Sequence, residues 1–322
     1  MKFMVSLVLL GLAVSGCASL SQPAPRTTPH EVVSARQAKA ENVLKSLPEM
    51  TVRDYEVLGD LHVQQGNPSL AFLQYDKALR LEPNHLSLRY KQSRLLLQNG
   101  SIDAAVRSFQ DMLKLDPNSA LAHEGLGEAF LRAHKLDQAE RSCSQAVALD
   151  SARWRSYNCL GMTYDRKKQF QDAIAAYQQA IKLQPGQGML LNNLGLSYYM
   201  QGQYKASVMA FKKALALEKD QVKVYNNLGL ALSKLGKYEE ALENFAQGGN
   251  KAQAYNNLGV MYMAQGQYRE AISSFEKAIS LQSDYYETAG DNLTLARRAL
   301  TMPRRQAPTA PLPSGQSGTK TR

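Results

Sequence analysis

The sequence predicts an all-α protein, a solenoid in which antiparallel helix pairs stack into a right-handed superhelix. One observation is a Leu-Gly pair that recurs every 34 residues. A second is the spacing of apolar residues within each interval, which follows the three- and four-residue steps of a helix. Such a period indicates one helix pair stacked on copies of itself, so function is expected along a groove. The pairs are Leu58-Gly59, Leu126-Gly127, Leu160-Gly161, Leu194-Gly195 and Leu228-Gly229, with Gln92-Ser93 in the remaining place.

Each interval contains two helices that cross closely, as residues 152–185 illustrate. The first helix carries Gly161 and the second carries Ala173, and two such small residues let the helix axes approach. Tyr177 follows at helical spacing on the second helix. Pro185 then ends that helix, because its ring and missing N–H cannot continue one.

This pattern resembles the tetratricopeptide repeat family, whose units carry an aromatic, Leu-Gly, Tyr, Ala, Phe or Tyr, Ala and Pro. Seven units cover residues 52–285, and the resemblance implies a binding module made of helix pairs. The matching residues include Ala71, Tyr75, Ala78, Pro83, Ala105, Phe109, Pro117, Ala139, Ala146, Phe211, Ala214, Ala241, Phe245, Ala271, Phe275 and Ala278. Cys143 replaces the aromatic in unit three and Ser207 replaces the first alanine in unit five.

The register changes once, because Leu228 and Leu258 are separated by 30 residues rather than 34. Four residues are about one helical turn. We therefore expect the second helix of unit six to end a turn early, at Gly248-Gly249. The change indicates either a hinge that separates two binding surfaces or simply a shortened loop.

Beyond the repeats, residues 286–301 are predicted to form a capping helix that covers the last unit. Residues 302–322 form a tail rich in Pro, Ser, Gly and Thr, which is predicted to be disordered. No acidic residue follows Asp291, so six of the ten net positive charges lie after it, in the capping helix and the tail together. The tail either touches anionic lipid or cell-wall polymer or is simply solvated. The six C-terminal cations are Arg297, Arg298, Arg304, Arg305, Lys320 and Arg322.

The N-terminus has the pattern of a targeting segment, predicted to be a signal peptide over residues 1–16. Its apolar run over residues 3–14 would rise about 18 Å as a helix, too short for a bilayer core of about 30 Å. The sequence Val14-Ser15-Gly16-Cys17 resembles the lipobox of bacterial lipoproteins, which implies that Cys17 becomes the lipidated first residue. The alternative is an ordinary secretion signal that contains a cysteine. No Asp follows the cysteine, and this favours an outer-membrane anchor facing the periplasm.

Two further segments separate the anchor from the repeats. Residues 17–27 are predicted to be a flexible tether, because the segment is rich in Ser, Pro and Ala and has few apolar side chains to bury. Residues 28–51 are predicted to contain a helix and a linker. Thr28, Pro29 and Glu31 supply its capping signals. We expect this helix to pack against the first repeat.

Cys143 and Cys159 are predicted to lie at matching heights on neighbouring antiparallel helices. Outside the cytoplasm a disulfide can form between them. The alternative is a pair of buried free thiols, because helix axes pack 8–10 Å apart and a disulfide needs Cα atoms within about 7 Å.

No catalytic constellation is present in the sequence, so we predict that the protein is not an enzyme and has no cofactor or small-molecule substrate. The five histidines show no metal-ligand spacing, and no metal site is predicted. Nucleic-acid binding is disfavoured because the positive charge is concentrated in the tail and the predicted location is extracytoplasmic.

An asparagine series marks the groove side of the later first helices. Amides both donate and accept, so a row of them can bind the backbone of an extended peptide. The alternative is that they brace neighbouring helices, because sequence position does not fix the direction of an amide. The series comprises Asn158, Asn192, Asn193, Asn226, Asn227, Asn256, Asn257 and Asn292.

Apolar residues lie about one helical turn beyond the asparagines on the same first helices. They predict that units four to seven form an apolar half of the groove, suited to an apolar protein segment. They are Leu196, Tyr199, Met200, Leu230, Val260 and Met263, with Met162. Units one to three are predicted to form a charged half. Its residues are Glu56, Glu124, Glu128, Arg132, Arg155 and Arg166. The alternative is that some of these apolar and charged side chains are shared between stacked repeats and do not line the groove.

These features predict a lipid-anchored periplasmic scaffold that binds a protein segment and assists an envelope machine. The layout resembles tight-adherence (Flp) pilus assembly lipoproteins of the TadD type and the pilotins of type IV pili. That resemblance implies a secretin or pilus-assembly component as partner. The alternative function is a periplasmic adaptor that docks a protease or cell-wall hydrolase onto its substrates.

Overall fold

Fifteen α-helices follow one another in the part of the chain that the structure describes, which confirms the all-α solenoid of helix pairs. The computed structural model describes residues 49–218, 221–282 and 287–301. The helices are α1 (Val52–Gln64), α2 (Pro68–Leu81), α3 (Leu86–Gln98), α4 (Ile102–Leu115), α5 (Ala120–Arg132), α6 (Leu136–Leu149), α7 (Trp154–Arg166), α8 (Phe170–Leu183), α9 (Gly188–Met200), α10 (Tyr204–Leu217), α11 (Val222–Lys234), α12 (Tyr238–Gln247), α13 (Lys251–Ala264), α14 (Tyr268–Ser280) and α15 (Glu287–Thr301).

The odd-numbered helices α1 to α13 are the first helices of seven units, the even-numbered helices are the second helices, and α15 follows as the predicted cap. All the described helices belong to one compact unit that begins at Thr51. Several predictions concern residues outside the described ranges and stay predictions. These are the signal peptide, the lipidation of Cys17, the tether, the helix within 28–48 and the basic tail.

The turn inside each unit depends on one residue with a positive φ angle. Glycine, which has no Cβ to clash, takes this place in five units, for example Gly202 with φ 80°. His134 and Lys168 adopt the same conformation in units three and four, with φ 58° and 61°. The helix pairs therefore turn in the same way in all seven units, even where the glycine is missing.

The glycine of the Leu-Gly pair makes room for an aromatic ring of the second helix. A Cβ atom built on Gly195 would lie 2.6 Å from Cε1 of Phe211, closer than any real side chain allows. The ring of Phe211 is fully buried as a result. The same fit occurs between Gly59 and Tyr75, Gly161 and Tyr177, Gly229 and Phe245, and Gly259 and Phe275.

Units two and three solve the same packing problem differently. Ser93 stands where unit two would have its glycine, and its Oγ lies 2.6 Å from Oγ of Ser108. The ring of Phe109 instead lies against Gly125 of the next unit. The paired glycine of unit three, Gly127, faces the sulfur of Cys143. Unit three therefore has two glycines in this region, because Gly125 makes room for the ring of Phe109 and Gly127 faces Cys143.

Cys143 on α6 and Cys159 on α7 are joined by a disulfide in the structure, with Cα atoms 6.3 Å apart. Both cysteines are buried and pack with Leu131 and Leu160 in one cluster. The sulfur pair occupies the space that an aromatic ring fills in the other units. It also links unit three covalently to unit four.

The second helix of unit six is shorter than its counterparts. α12 has 10 residues, whereas α10 has 14. It ends at Gln247, where the Gly248-Gly249 pair places the stop, and Gly248 is its C-cap residue. Asn250 then caps α13 in a capping box with Gln253. The helix itself therefore accounts for all four missing residues, and α13 begins one residue earlier relative to its Leu-Gly pair than the other first helices do.

First helices form one layer of the solenoid. Each from α3 to α13 packs against the first helix of the next unit, or in the last case against α15. Second helices of neighbouring units show no comparable contact among the described residues. The layer whose helices approach one another more closely lies on the inside of the curve, so the groove belongs to the first helices.

Removing the disulfide is expected to lower the free energy of unfolding by about 3 kcal/mol, because a cross-link across a short loop restricts the unfolded chain. Urea denaturation with and without a thiol reductant measures the change. The variant Cys143→Ala/Cys159→Ala is the control, and its midpoint should not respond to the reductant. An unmodified chain that unfolds at the same urea concentration in both conditions would show that the bond does not form.

Candidate functional site

Paired asparagines connect the later first helices to one another. In each pair, the asparagine one residue before the Leu position donates to the asparagine two residues before the Leu position of the preceding first helix, and the capping helix α15 supplies the last donor. The donor Nδ2 and acceptor Oδ1 atoms are 3.1 Å apart for Asn193 and Asn158, 3.0 Å for Asn227 and Asn192, and 3.0 Å for Asn292 and Asn256. We call each such contact between first helices a rung.

Charged and phenolic side chains form the rungs between the first helices of the earlier units. Lys91 Nζ lies 2.8 Å from Oε1 of Glu56 and 2.7 Å from Oδ2 of Asp60. Burial alone would lower the pKa of Lys91, but its hydrogen bonds to Asp60 and Glu56 raise that pKa above its ordinary value. The ammonium group therefore stays charged and bound.

Glu124 is the centre of the next rung and is 3% exposed. It accepts hydrogen bonds from the hydroxyl of Tyr90 and from Ser156 Oγ, the latter at 3.0 Å. Arg153 Nε also donates to it at 3.0 Å. Glu124 is thus occupied within the solenoid, which corrects the prediction that it lines a charged groove.

The asparagine rungs show what most of the asparagine series does in the structure. Asn158, Asn256 and Asn292 are only 6–7% exposed and are bonded to other asparagines. Of the two interpretations of the series, the structure places these three in helix bracing. The sequence left this open because it does not give the direction of an amide group.

One rung is missing, at the joint between units six and seven. Asn226 donates through Nδ2 to the carbonyl oxygen of Gly248 at 3.2 Å. Its Oδ1 is buried and has no hydrogen-bond partner among the described residues. Asn257, the residue whose register would complete the rung, does not bond to it. The shortening of α12 brings Gly248 to the place that the next asparagine occupies in other units.

The rungs define which side of a first helix remains free. On α9, Asn192 points to the following first helix and Asn193 to the preceding one. At 100° per residue, the second, ninth and thirteenth residues project between those two directions. Those positions of α1 to α11 form what we call the inner stripe, and in α13, which begins one residue earlier, the equivalent residues are the third, tenth and fourteenth. On α9 they are Met189, Leu196 and Met200, which we call the methionine row.

The methionine row is the most exposed apolar part of the inner stripe in units four to seven. Met189 is 46% exposed and Met200 is 60% exposed, and Leu196 is half-buried. The whole of α9 carries no charged residue. In α7 the inner stripe consists of Arg155, Met162 and Arg166, and in α11 it consists of Lys223, Leu230 and Lys234.

The thirteenth position shows how the methionine row differs from its neighbours. Arg132 donates to the carbonyl oxygen of Leu97 at 2.6 Å, and Arg166 donates to that of Leu131 at 2.7 Å. These arginines fasten the ends of successive first helices together. Met200 stands at the same position in the next unit but can make no such bond, so its side chain is left exposed.

Two predicted groove residues are wrong, because Val260 and Met263 belong to the core. They are 3% and 2% exposed and pack with Phe275 of α14 and Ala296 of the capping helix. Coverage by the last second helix and the cap hides them. Unit seven consequently adds little apolar surface to the groove.

The remaining predicted apolar residues are partly available. Leu196, Tyr199 and Leu230 are half-buried and pack against a central core cluster. Tyr199 stacks edge-on against Tyr204, with ring centres 5.4 Å apart. Burial, with Tyr204 adding to it, raises the pKa of the Tyr199 phenol to about 12, so this side chain stays neutral at physiological pH.

Sequence reasoning missed Met189, Lys223 and Lys234 as members of the same surface. The signal that could have found them is spacing, because residues 11 apart lie within about 20° on a helix. Met200 thus predicts Met189. Lys223 and Lys234 are themselves such a pair on α11.

Within residues 49–218, 221–282 and 287–301, no group of His, Cys, Asp and Glu is placed to hold a metal ion. In the same ranges no helix has both the length and the hydropathy that a membrane crossing needs.

Two family models match the chain. The model described as the cilia and flagella-associated protein 70 C-terminal domain, a tetratricopeptide repeat model, matches residues 14–254. The tetratricopeptide repeat model matches residues 252–285. The chain belongs to this family of tetratricopeptide repeat proteins. A comparison with curated proteins gives no match.

Solved structures share the repeat fold. The APC/C hetero-tetramer Cut9–Hcn1 is 21% identical, with a TM-score of 0.58 over 82% of this chain and 52% of that one. A thermophilic repeat protein of Thermus thermophilus, TTC0263, is 18% identical, with a TM-score of 0.52 over 56% and 99%. The pilF protein of Pseudomonas aeruginosa is 24% identical, with a TM-score of 0.52 over 65% and 97%. At these identities the likeness establishes the fold.

A double-mutant cycle distinguishes the intact rung from the missing one. Alanine at Asn192 and Asn227, singly and together, should give a coupling energy of about 1 kcal/mol, because these amides bond to each other. The equivalent cycle on Asn226 and Asn257 should give a coupling close to zero. Thermal or urea unfolding supplies both values. Equal coupling in the two cycles would mean that the joint between units six and seven is braced like the others.

Proposed function

We propose that this protein is a lipid-anchored periplasmic scaffold that binds a protein segment along its inner stripe and assists the assembly of pilus or secretion machinery. The observation that carries the binding part is the methionine row. Two large apolar side chains, 46% and 60% exposed, stand on the groove side of a helix that has no charged residue. Apolar surface that is left open in this way is typical of a binding site.

The shape of the row favours a protein segment over a small molecule. Its ends, Met189 and Met200, lie 11 residues apart on α9, which corresponds to about 16 Å along the helix. Methionine side chains are flexible and polarisable, so they adapt to partners of different shape. An apolar stripe between parallel helices is suited to an extended or helical segment that lies in the groove.

The anchor and the location form the second part of the proposal. Cys17, within its lipobox-like sequence, would attach the mature chain to the outer membrane, and the tether would give the repeats reach. A groove held near the membrane would capture a client where the client must insert. The resemblance to tight-adherence lipoproteins and type IV pilus pilotins supports a secretin or pilus-assembly component as that client. The pilF likeness is compatible with this role through its fold.

Photo-crosslinking in intact cells tests the proposal, with matched positions on the two layers of the solenoid. A photo-reactive amino acid replaces Met200 on α9 in one strain and Met209 on α10 in the other. The two methionines are 60% and 61% exposed, so they differ in layer and not in accessibility. The Met200 probe should capture a secretin or pilus-assembly protein, and the Met209 probe should not.

Three results would speak against the proposal in different ways. Capture by the Met209 probe alone would move the binding site to the outer layer. Capture of a protease or cell-wall hydrolase at Met200 would keep the site and favour the adaptor function. If the protein fractionates with the soluble periplasm even when Cys17 is intact, the proposed lipid anchor is wrong.

A further inference from the structure

We infer that the segment bound by the methionine row is acidic as well as apolar, with carboxylates on both sides of its apolar residues. This rests on the proposed function, because it specifies the chemistry of the client at the same site. The observation behind it is the arrangement of charge around the row.

Basic residues flank the methionine row on both neighbouring helices. Arg155 and Arg166 occupy the ends of the inner stripe on α7, and Lys223 and Lys234 occupy the ends on α11. Each pair is separated by the same 11 residues as Met189 and Met200. An apolar row thus lies between two rows whose ends are cationic.

These four cations are not neutralised by other described residues. None of them takes part in an ion pair there, whereas Lys91 and Arg132 on the earlier units, and Arg153 directly before α7, are paired with carboxylates. Arg155 lies over the ring of Trp154, 4.5 Å from its centre, and Arg166 donates to a backbone carbonyl. Both contacts leave the positive charge uncompensated.

The one acidic residue on α7, α9 and α11 is engaged elsewhere. Asp165 accepts hydrogen bonds from the hydroxyl of Tyr177 at 2.9 Å and from Ser197 Oγ at 2.7 Å. Burial raises the pKa of Asp165, although these hydrogen bonds act in the opposite direction. Both carboxylate oxygens of Asp165 accept these hydrogen bonds, so the residue offers little compensation to the cations of the stripe.

The spacing of the cations sets the spacing of the carboxylates that would pair with them. An 11-residue separation on a helix spans about 16 Å, and an extended chain rises about 3.3 Å per residue. Carboxylates about five residues apart would therefore reach both ends of the stripe. Neighbouring helix axes lie 8–10 Å apart, which brings the cations of α7 and α11 within reach of a segment lying on α9.

Charge complementarity of this kind favours one class of client over others. A neutral apolar segment would fill the row but add no partner for the four cations, which have no ion pair with any described residue, and a basic segment would be repelled. Anionic lipid headgroups would also attract the cations, but the row lies on the inside of the curve of the solenoid, a shape that suits a narrow segment better than a flat bilayer surface.

Binding of labelled peptides to the full mature chain in detergent micelles tests the inference. The probe is a fluorescent peptide with the core sequence Glu-Ser-Leu-Phe-Ser-Glu, whose carboxylates are five residues apart. One comparison peptide has glutamine in place of both glutamates, and another has serine in place of Leu-Phe. Fluorescence anisotropy should show the acidic apolar peptide binding about ten-fold tighter than the glutamine peptide at low salt, as expected for several solvent-screened ion pairs.

Matched charge variants locate the effect. Arg166→Gln/Lys234→Gln should reduce the preference for the acidic peptide to about two-fold or less. Lys212→Gln/Lys213→Gln, on the outer face of α10, removes the same charge and should keep the preference. Raising the salt concentration should weaken the binding of the acidic peptide to the unmodified protein more than the binding of the glutamine peptide. Because this measurement uses only the unmodified protein, it does not depend on whether a variant folds.

The outcomes separate this inference from the proposed function. Equal affinity for the acidic and glutamine peptides, or no binding by either, overturns the acidic client, while capture at Met200 in cells still decides whether the groove binds protein. A second outcome also overturns the acidic client. It is that the protein binds vesicles containing phosphatidylglycerol, that the Arg166 and Lys234 changes abolish this binding, and that the peptide does not compete with the vesicles. The cations would then be assigned to lipid.

Discussion

Direct side-chain contacts between first helices are the constraint on which the rest of this structure depends. Glu56 and Lys91 form such a contact through a salt bridge, and Asn158 and Asn193 form one through their amides. These contacts, with the buried core behind them, use most of each helix surface. Only the sector between the two contact directions stays open, so the rungs decide which residues a partner can reach.

The chemistry of the rungs changes along the chain, and with it the character of the groove. Charged side chains near the N-terminal end are consumed in pairing, while the amide rungs of later units carry no net charge. On the inner stripe of these later units, the apolar residues Met189 and Met200 are exposed, and the cationic residues form no ion pair with any described residue. At Asn226 the rung is replaced by a bond to Gly248. The joint between units six and seven lacks this particular contact, although Gln265 Nε2, directly after α13, donates to the carbonyl oxygen of Ser233 on α11 at 3.1 Å.

Sequence periodicity predicts the fold well, because each 34-residue repeat carries the small residues, the aromatic residue and the turn that one helix pair needs. The stop of α12 follows from the glycine pair and from the 30-residue step between Leu228 and Leu258. The site is less predictable. Leu196, Met200 and Leu230 lie on the expected side, but Val260 and Met263 do not, because the sequence does not show how much the cap covers. Amide direction and the Cα distance between Cys143 and Cys159 likewise depend on tertiary packing that no local pattern encodes.

Methionine oxidation footprinting tests the central claim, that the rungs turn one sector of each first helix outward, more directly than any binding assay. Brief exposure of the folded protein to dilute hydrogen peroxide, followed by mass spectrometry of peptides, gives an oxidation rate for each methionine. Met189 and Met200 should oxidise rapidly, at rates similar to that of Met209, while Met261 and Met263 should be protected. Rapid oxidation of Met263 together with protection of Met200 would contradict the arrangement of the inner stripe.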